Sequence, residues 1–266
     1  MVALGKIKNF LIDMDGTIYL GQKLLPGAKD FWSYVNSDGR KGVFLTNNSA
    51  RAPKDYVQKL AGMHIPAAEE QIVTSGDAAI WHLKKHFPGQ GVYLLGTPLL
   101  HAYLEQAGIP IVNGTEQKPG AVLLGFDMTL TYEKIRTAYG WIMQGVPFLA
   151  THPDILCPAE NGSIPDAGAM ICMFEAATGV SPVILGKPCE PMAKAILEKF
   201  GFRPEETAMI GDRLYTDIAF ANRNNMTGIL VLSGETTEEE YKAQNKVKAD
   251  YVFPSVRELT QAALSD

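Results

Sequence analysis

No stretch of this 266-residue chain approaches the ~18 consecutive apolar residues a membrane span requires. Cysteine is scarce. Cys157, Cys172 and Cys189 stand far apart, with no CxxC pair and no Cys/His cluster, which argues against a structural zinc site or a disulfide framework. An odd cysteine count in a chain of this size suits a reducing compartment. The N-terminus offers only Lys6, Lys8 and a short apolar run in place of a secretory leader, so the expected location is cytoplasmic. Basic residues are not in excess either: 24 Lys and Arg against 29 Asp and Glu leave a net charge of −5 and no basic stripe for nucleic acid. Neither nucleic acid nor membrane is an expected partner, whereas a small anion needs only a few local groups. Asn-x-Ser/Thr triplets at Asn47, Asn113, Asn161 and Asn225 carry no meaning in a cytoplasmic chain. With 46% apolar residues, the chain can still bury a sizeable core.

What is present is an alternation. Short, almost continuously apolar runs at Phe10–Ile12, Val43–Leu45, Val92–Leu95, Val122–Leu124, Phe148–Ala150, Val183–Leu185, Ala208–Ile210 and Ile229–Leu232 read as strands covered on both faces. Between them lie helical patterns: one opened by Pro26-Gly27 and running to about Asp38, one opened by Pro53 and ending near Gly62, and one at Tyr132–Gln144 whose apolar stripe is core packing. Strand and helix in turn predict an α/β fold with parallel sheets, whose ligands bind at the carboxyl ends of the strands.

Four of these strands end in chemistry. The first runs into Asp13-Met14-Asp15-Gly16-Thr17, the second into Thr46-Asn47-Asn48-Ser49, a later one into Gly186-Lys187-Pro188, and another into Gly211-Asp212 with Asp217 one helical turn on. The Gly-Lys pair is not a phosphate-binding P-loop, because Ser181 and Pro188 occupy positions that such a loop reserves for Gly and for Ser or Thr. Arg213 reads as a solvated turn residue. Together, Asp13 and Asp212 form a hard oxygen set suited to Mg²⁺. Asp13 can then attack phosphorus as a carboxylate nucleophile, provided that Mg²⁺ and the ammonium of Lys187 offset the repulsion between anions. The Thr46 hydroxyl and the backbone N–H groups after Asp13 can hold phosphoryl oxygens. Asp15, swung aside by a turn at Gly16, suits the acid that protonates the leaving alcohol and the base that activates water. Asp217 can orient Lys187 or a metal-bound water.

The ordered set Asp-x-Asp-Gly-Thr, Thr-Asn-Asn, Lys and Gly-Asp-x-x-x-x-Asp resembles the four motifs of the haloacid dehalogenase (HAD) superfamily in its phosphatase branch, over nearly the whole chain. The resemblance implies Asp13 as nucleophile, Asp15 as acid/base, and Thr46, Asn47 and Lys187 as phosphate binders. It implies Asp13, Asp212 and the carbonyl oxygen of Asp15 as Mg²⁺ ligands, with Asp217 behind them. The 138 residues from Ser49 to Lys187 exceed what a crossover needs. A cap placed there resembles the NagD-like, class IIA subfamily, as do "TNNS" and "FLATHPD". The implied architecture is a Rossmann-like parallel-sheet core at 1–77 and 183–266, with an inserted α/β cap of C2 type at 78–182. The cap would choose the leaving group. Within it, the loop-like stretch Thr151–Met170 leads into a helix at Gly168–Thr178. His152, Asp154 and Asp166 are its expected substrate contacts, and the helix N-terminus an added anion site.

The function so implied is hydrolysis of a small phosphate monoester, such as a sugar phosphate or nucleoside monophosphate, through an aspartyl-phosphate. Caps of the subfamily can pair between subunits, so a homodimer is allowed. A phosphotransferase or phosphomutase would use the same intermediate, and a receiver-like binding module would share the Asp, Mg²⁺ and Lys. A receiver would need only about half this length.

Overall fold

The computed structural model describes residues 3–159 and 162–265. The Asn161 triplet begins outside them. The chain divides into two compact units: Met1–Thr46, Pro53–Val73 and Pro188–Asp266 form one, and Asn47–Ala52 with Thr74–Lys187 the other.

The first unit is built on a six-stranded sheet. Its order is Tyr251–Phe253, Thr227–Val231, Thr207–Gly211, Asn9–Ile12, Lys41–Thr46 and Ile72–Thr74. Asn9–Ile12 pairs in parallel with Lys41–Phe44 on one side and Thr207–Ile210 on the other. All four of its residues are buried, as expected of a central strand covered on both faces. Trp32 stacks on Phe44 with ring centroids 4.2 Å apart, while its indole N–H donates to the Pro66 carbonyl at 2.9 Å. An aromatic buried this way contributes about 1.5–3 kcal/mol through the apolar area it removes from water. The helix Pro53–Gly62 forms where the sequence places it. The helix expected to reach Asp38 stops at Tyr34. Asn36 Nδ2 turns back to the Trp32 carbonyl and Ser37 Oγ to the Tyr34 carbonyl, taking acceptors that a longer helix would have used.

The second unit has its own parallel sheet, ordered Val183–Ile184, Phe148–Ala150, Ala121–Leu124 and Val92–Leu95. The strand at Val183 thus pairs with Leu149 and Ala150 rather than joining the larger sheet, against the expected boundary at 182/183. Likewise the helix Ser75–His86 is continuous across the expected cut after residue 77. Hydroxyls of Thr74, Thr97 and Thr131 and the Asp166 carboxylate cap the helices that follow them, each contributing about 1 kcal/mol. The loop expected through Thr151–Met170 contains an antiparallel hairpin, Leu156–Ala159 with Gly162–Pro165. Pro158 and Pro165 hid it from the sequence, yet proline is tolerated in a two-stranded ribbon that is edge on both sides. No described helix is long and apolar enough to cross a membrane.

Candidate active site

The carboxyl edge of the six-stranded sheet gathers acids. The strand Asn9–Ile12 stops at Asp13, whose N–H still donates to the Ile210 carbonyl at 2.8 Å. Thr207–Gly211 stops at Asp212, and a π-helical turn over Leu214–Ile218 brings Asp217 back. One carboxylate oxygen from each of Asp13, Asp212 and Asp217 lies within 4.8 Å of the others, the one group of this kind among the described residues. Two full charges at such a distance repel by about 4 kcal/mol at an effective dielectric of ~20. Burial and the neighbouring Asp217 push Asp212 up to about 7, although the N–H of Glu235 donates to its Oδ2 at 2.7 Å. Its Oδ1 is buried and has no hydrogen-bond partner. A carboxylate oxygen of this kind, among like charges and hard oxygen donors, fits a divalent cation.

Glycines make the cluster sterically possible. Gly16, at φ 87°, and Gly234 both turn bare α-carbons onto the Asp212 carboxylate, and a Cβ on either would overlap it. Gly211 does the same beneath Asp217. Asp217 Oδ2 accepts the Arg213 N–H at 3.1 Å, fixing the carboxylate against its own turn. Arg213, expected in solvent, is mostly buried and paired with Glu235, Nε to Oε2 at 2.9 Å.

Asp15 is exposed and stands outside the carboxylate cluster. The Met14 carbonyl accepts the N–H groups of Ile18 and Tyr19, so the chain folds over between the two acids. Asp15 meets Tyr19 in an isolated bridge, and after burial its charge is the largest influence raising the Tyr19 phenol. Thr46 ends its strand half-buried.

In the second unit, Asn47 and Lys187 meet differently from the expectation. The Asn47 side chain is a clamp on the backbone of Lys187: Oδ1 accepts the Lys187 N–H at 2.8 Å, and Nδ2 donates to the Lys187 carbonyl at 3.0 Å. The second Nδ2 proton goes to Asp154 Oδ2 at 3.1 Å. The carboxamide oxygen and both its N–H protons are thereby engaged within the protein. Lys187 itself is only 2% exposed.

The expected substrate contacts His152 and Asp166 are turned on each other, Nε2 to Oδ1 at 2.9 Å, while the Thr151 hydroxyl lies 2.9 Å from His152 Nδ1. Thr151 Oγ1 continues to Ser49 Oγ at 3.1 Å, which accepts the Phe126 N–H. His152 is fully buried and both ring nitrogens are engaged, so the chain of bonds ties loops together. The helix N-terminus suggested as an anion site is occupied by Asp166, which accepts the Ala167 N–H at 2.6 Å. The sequence also missed the loop Ser233–Glu235. Its contributions are backbone groups and the Ser233 hydroxyl, which donates to the Gly16 carbonyl at 2.7 Å, and only the Ser-Gly pair after a strand hinted at it.

Comparison with known proteins gives the family of the chain. A haloacid dehalogenase-like hydrolase family model matches residues 10–110, and a HAD-hydrolase-like model matches 184–259. An acid sugar phosphatase of Staphylococcus aureus is 39% identical over 94% of this chain and 96% of its own. The structure of a 4-nitrophenylphosphatase from Thermotoga maritima superposes with a TM-score of 0.93 at 42% identity, covering 99% of this chain and all of that one. A glycerol phosphate phosphatase from Mycobacterium tuberculosis, solved with magnesium, superposes at 0.90 with 28% identity, covering 99% of this chain and 80% of that one. The chain belongs to the haloacid dehalogenase-like hydrolases. Within them it falls in the NagD-like, class IIA phosphatases.

Proposed function

We propose that this phosphatase transfers the phosphoryl group of a small phosphate monoester to Asp13. The observation that carries the reading is the convergence of Asp13 with Asp212 and Asp217 at the carboxyl edge of the first unit's sheet. Asp13 attacks phosphorus, and the bond from phosphorus to the alcohol oxygen breaks. Asp15, set apart by the turn at Gly16, gives its proton to that oxygen. In the second half, Asp15 takes a proton from water, whose oxygen attacks the aspartyl-phosphate, releasing phosphate and restoring Asp13. Asp13, Asp212 and the Asp15 carbonyl would hold Mg²⁺, with Asp217 beside them. The ion supplies the positive charge that lets a carboxylate approach a phosphate. The Lys187 ammonium and the Thr46 hydroxyl hold phosphoryl oxygens.

In this reading the unit made of 47–52 and 74–187 is the inserted cap and selects the leaving group. A sugar or polyol phosphate is the favoured substrate class, because the similar phosphatases from S. aureus and M. tuberculosis act on a sugar phosphate and a glycerol phosphate. The protein acts in the cytoplasm, alone or as a homodimer. The test is phosphate release from sugar phosphates, glycerol phosphate and nucleoside monophosphates, with Mg²⁺ or with EDTA. Asp13→Asn should lower turnover by a factor on the order of 10⁶, as loss of a nucleophile does elsewhere. Near-normal turnover by that variant, or hydrolysis in EDTA, would overturn the assignment.

A further inference from the structure

We infer that Asp154 is a positioning residue for Lys187, acting through the Asn47 carboxamide rather than on the substrate. The inference rests on the role given to Lys187 above and concerns how that role is enforced. Lys187 follows a two-residue strand, Val183–Ile184, which is too short to hold its backbone by sheet pairing alone. Asn47 supplies the missing bonds, taking the Lys187 N–H at 2.8 Å and giving a proton to its carbonyl at 3.0 Å, as a neighbouring strand would. An amide can do this in one orientation only. Because the Lys187 N–H must donate, Oδ1 faces it, and Nδ2 must face the carbonyl. Nδ2 carries a second proton, which would be stranded in this buried place without an acceptor. Asp154 Oδ2, at 3.1 Å, is that acceptor.

The surroundings are fitted to this arrangement. Gly186 has no Cβ, and one placed there would stand 2.7 Å from Asn47 Oδ1 and 2.5 Å from the Thr151 carbonyl. Ser75 Oγ donates to the Asn47 carbonyl, fixing its backbone as well. Asp154 Oδ1, in contrast, is buried without a hydrogen-bond partner. A buried carboxylate oxygen left so is costly, and the hydrogen bond that Oδ2 accepts from the Asn47 carboxamide is the contact that accounts for the residue.

The experiment compares Asp154→Ala, Asp154→Asn, Asn47→Asp and Lys187→Ala on the full chain with Mg²⁺, using p-nitrophenyl phosphate and glycerol phosphate, with melting curves to confirm folding. Asp154→Ala should lower kcat by about 10- to 100-fold, the usual cost of losing an orienting partner, and by the same factor on both substrates. Asp154→Asn, whose carbonyl oxygen still accepts from Nδ2, should recover most of that loss. Asn47→Asp, which has no proton to give to the Lys187 carbonyl or to Asp154, should cost at least as much as Asp154→Ala. In the Lys187→Ala background, Asp154→Ala should add little. A loss that differs between the two leaving groups, an asparagine no better than alanine, or losses that multiply with Lys187→Ala would overturn the inference. Lys187→Ala with unchanged turnover would instead remove the reading of Lys187 on which it stands.

Discussion

Both units of this chain deliver acids to the carboxyl ends of a parallel sheet, and they use them in opposite ways. In the first, Asp13, Asp212 and Asp217 are brought against one another. In the second, Asp127 lies 2.8 Å from the Lys134 ammonium and one oxygen of Asp154 takes the Asn47 amide, while Asp166, after the hairpin, bonds His152. Matching lowers the cost of burial and fixes loops. Gathering raises it, and the excess negative field is what a cation can relieve. A carboxylate at a strand end is therefore not a catalytic signal by itself. What distinguishes the two sheets is the company each carboxylate keeps.

The contrast can be tested by disturbing one side and then the other. The largest effect belongs to the first unit. Asp15→Asn should cost ~10²–10⁴ in turnover on a sugar phosphate, the range for a lost acid/base. The loss should be smaller on p-nitrophenyl phosphate, whose leaving group departs without a proton. Equal losses on both would move the acid elsewhere. Next, Mg²⁺ at about 100 times its dissociation constant should stabilise the protein by ~2.7 kcal/mol in urea unfolding. Asp212→Asn should abolish most of that gain; a gain that survives would place the ion away from the cluster.

In the second unit the expected losses are of stability rather than turnover. His152→Leu removes the imidazole from between Asp166 and Thr151, leaving them only the Ala167 N–H and the Ser49 hydroxyl, and should cost ~1–3 kcal/mol. The ratio of kcat/KM between two leaving groups should not move; if it does, His152 touches substrate after all. The smallest effect concerns His82, lowered to about 4 by burial and by neighbouring His86. Its folded value lies below the ordinary one of 6.5. The unfolded chain therefore binds the proton more readily, and stability falls as pH drops from about 6.5 toward 4. His82→Gln should flatten the melting temperature over that window. An unchanged slope would assign the acid sensitivity to other groups.

The sequence made the α/β alternation and the acid-bearing strand ends legible because a doubly covered strand leaves an apolar run that stops abruptly where its polar work begins. Asp13 and Asp212 could be singled out on that ground, 199 positions apart, and they do share a cluster. What stayed hidden was decided by pairing. Val183–Ile184 is as apolar as any strand of the larger sheet, and nothing in its composition says that Leu149 and Ala150 are its partners. His152 and Asp166 were legible as polar residues in a loop but not as partners of each other, because a hydrogen bond across 14 residues leaves no trace in spacing. The same holds for Asn47, whose neighbour in the fold lies 140 residues away.

The strand Asn9–Ile12 lies between Lys41–Phe44 and Thr207–Ile210. During synthesis its first neighbour emerges almost at once, and its second only after the whole of 74–187 has been made. At the usual ~5–20 residues per second, one edge of that strand waits roughly ten to thirty seconds for its partner. All four strands of the smaller sheet lie within Val92–Ile184, and by then they can have assembled from their own residues. The nascent chain thus carries one assembled sheet and one that still lacks strands. Asp13 meets Asp212 and Asp217 only when the last third arrives, so a chain released early lacks the carboxylate cluster altogether.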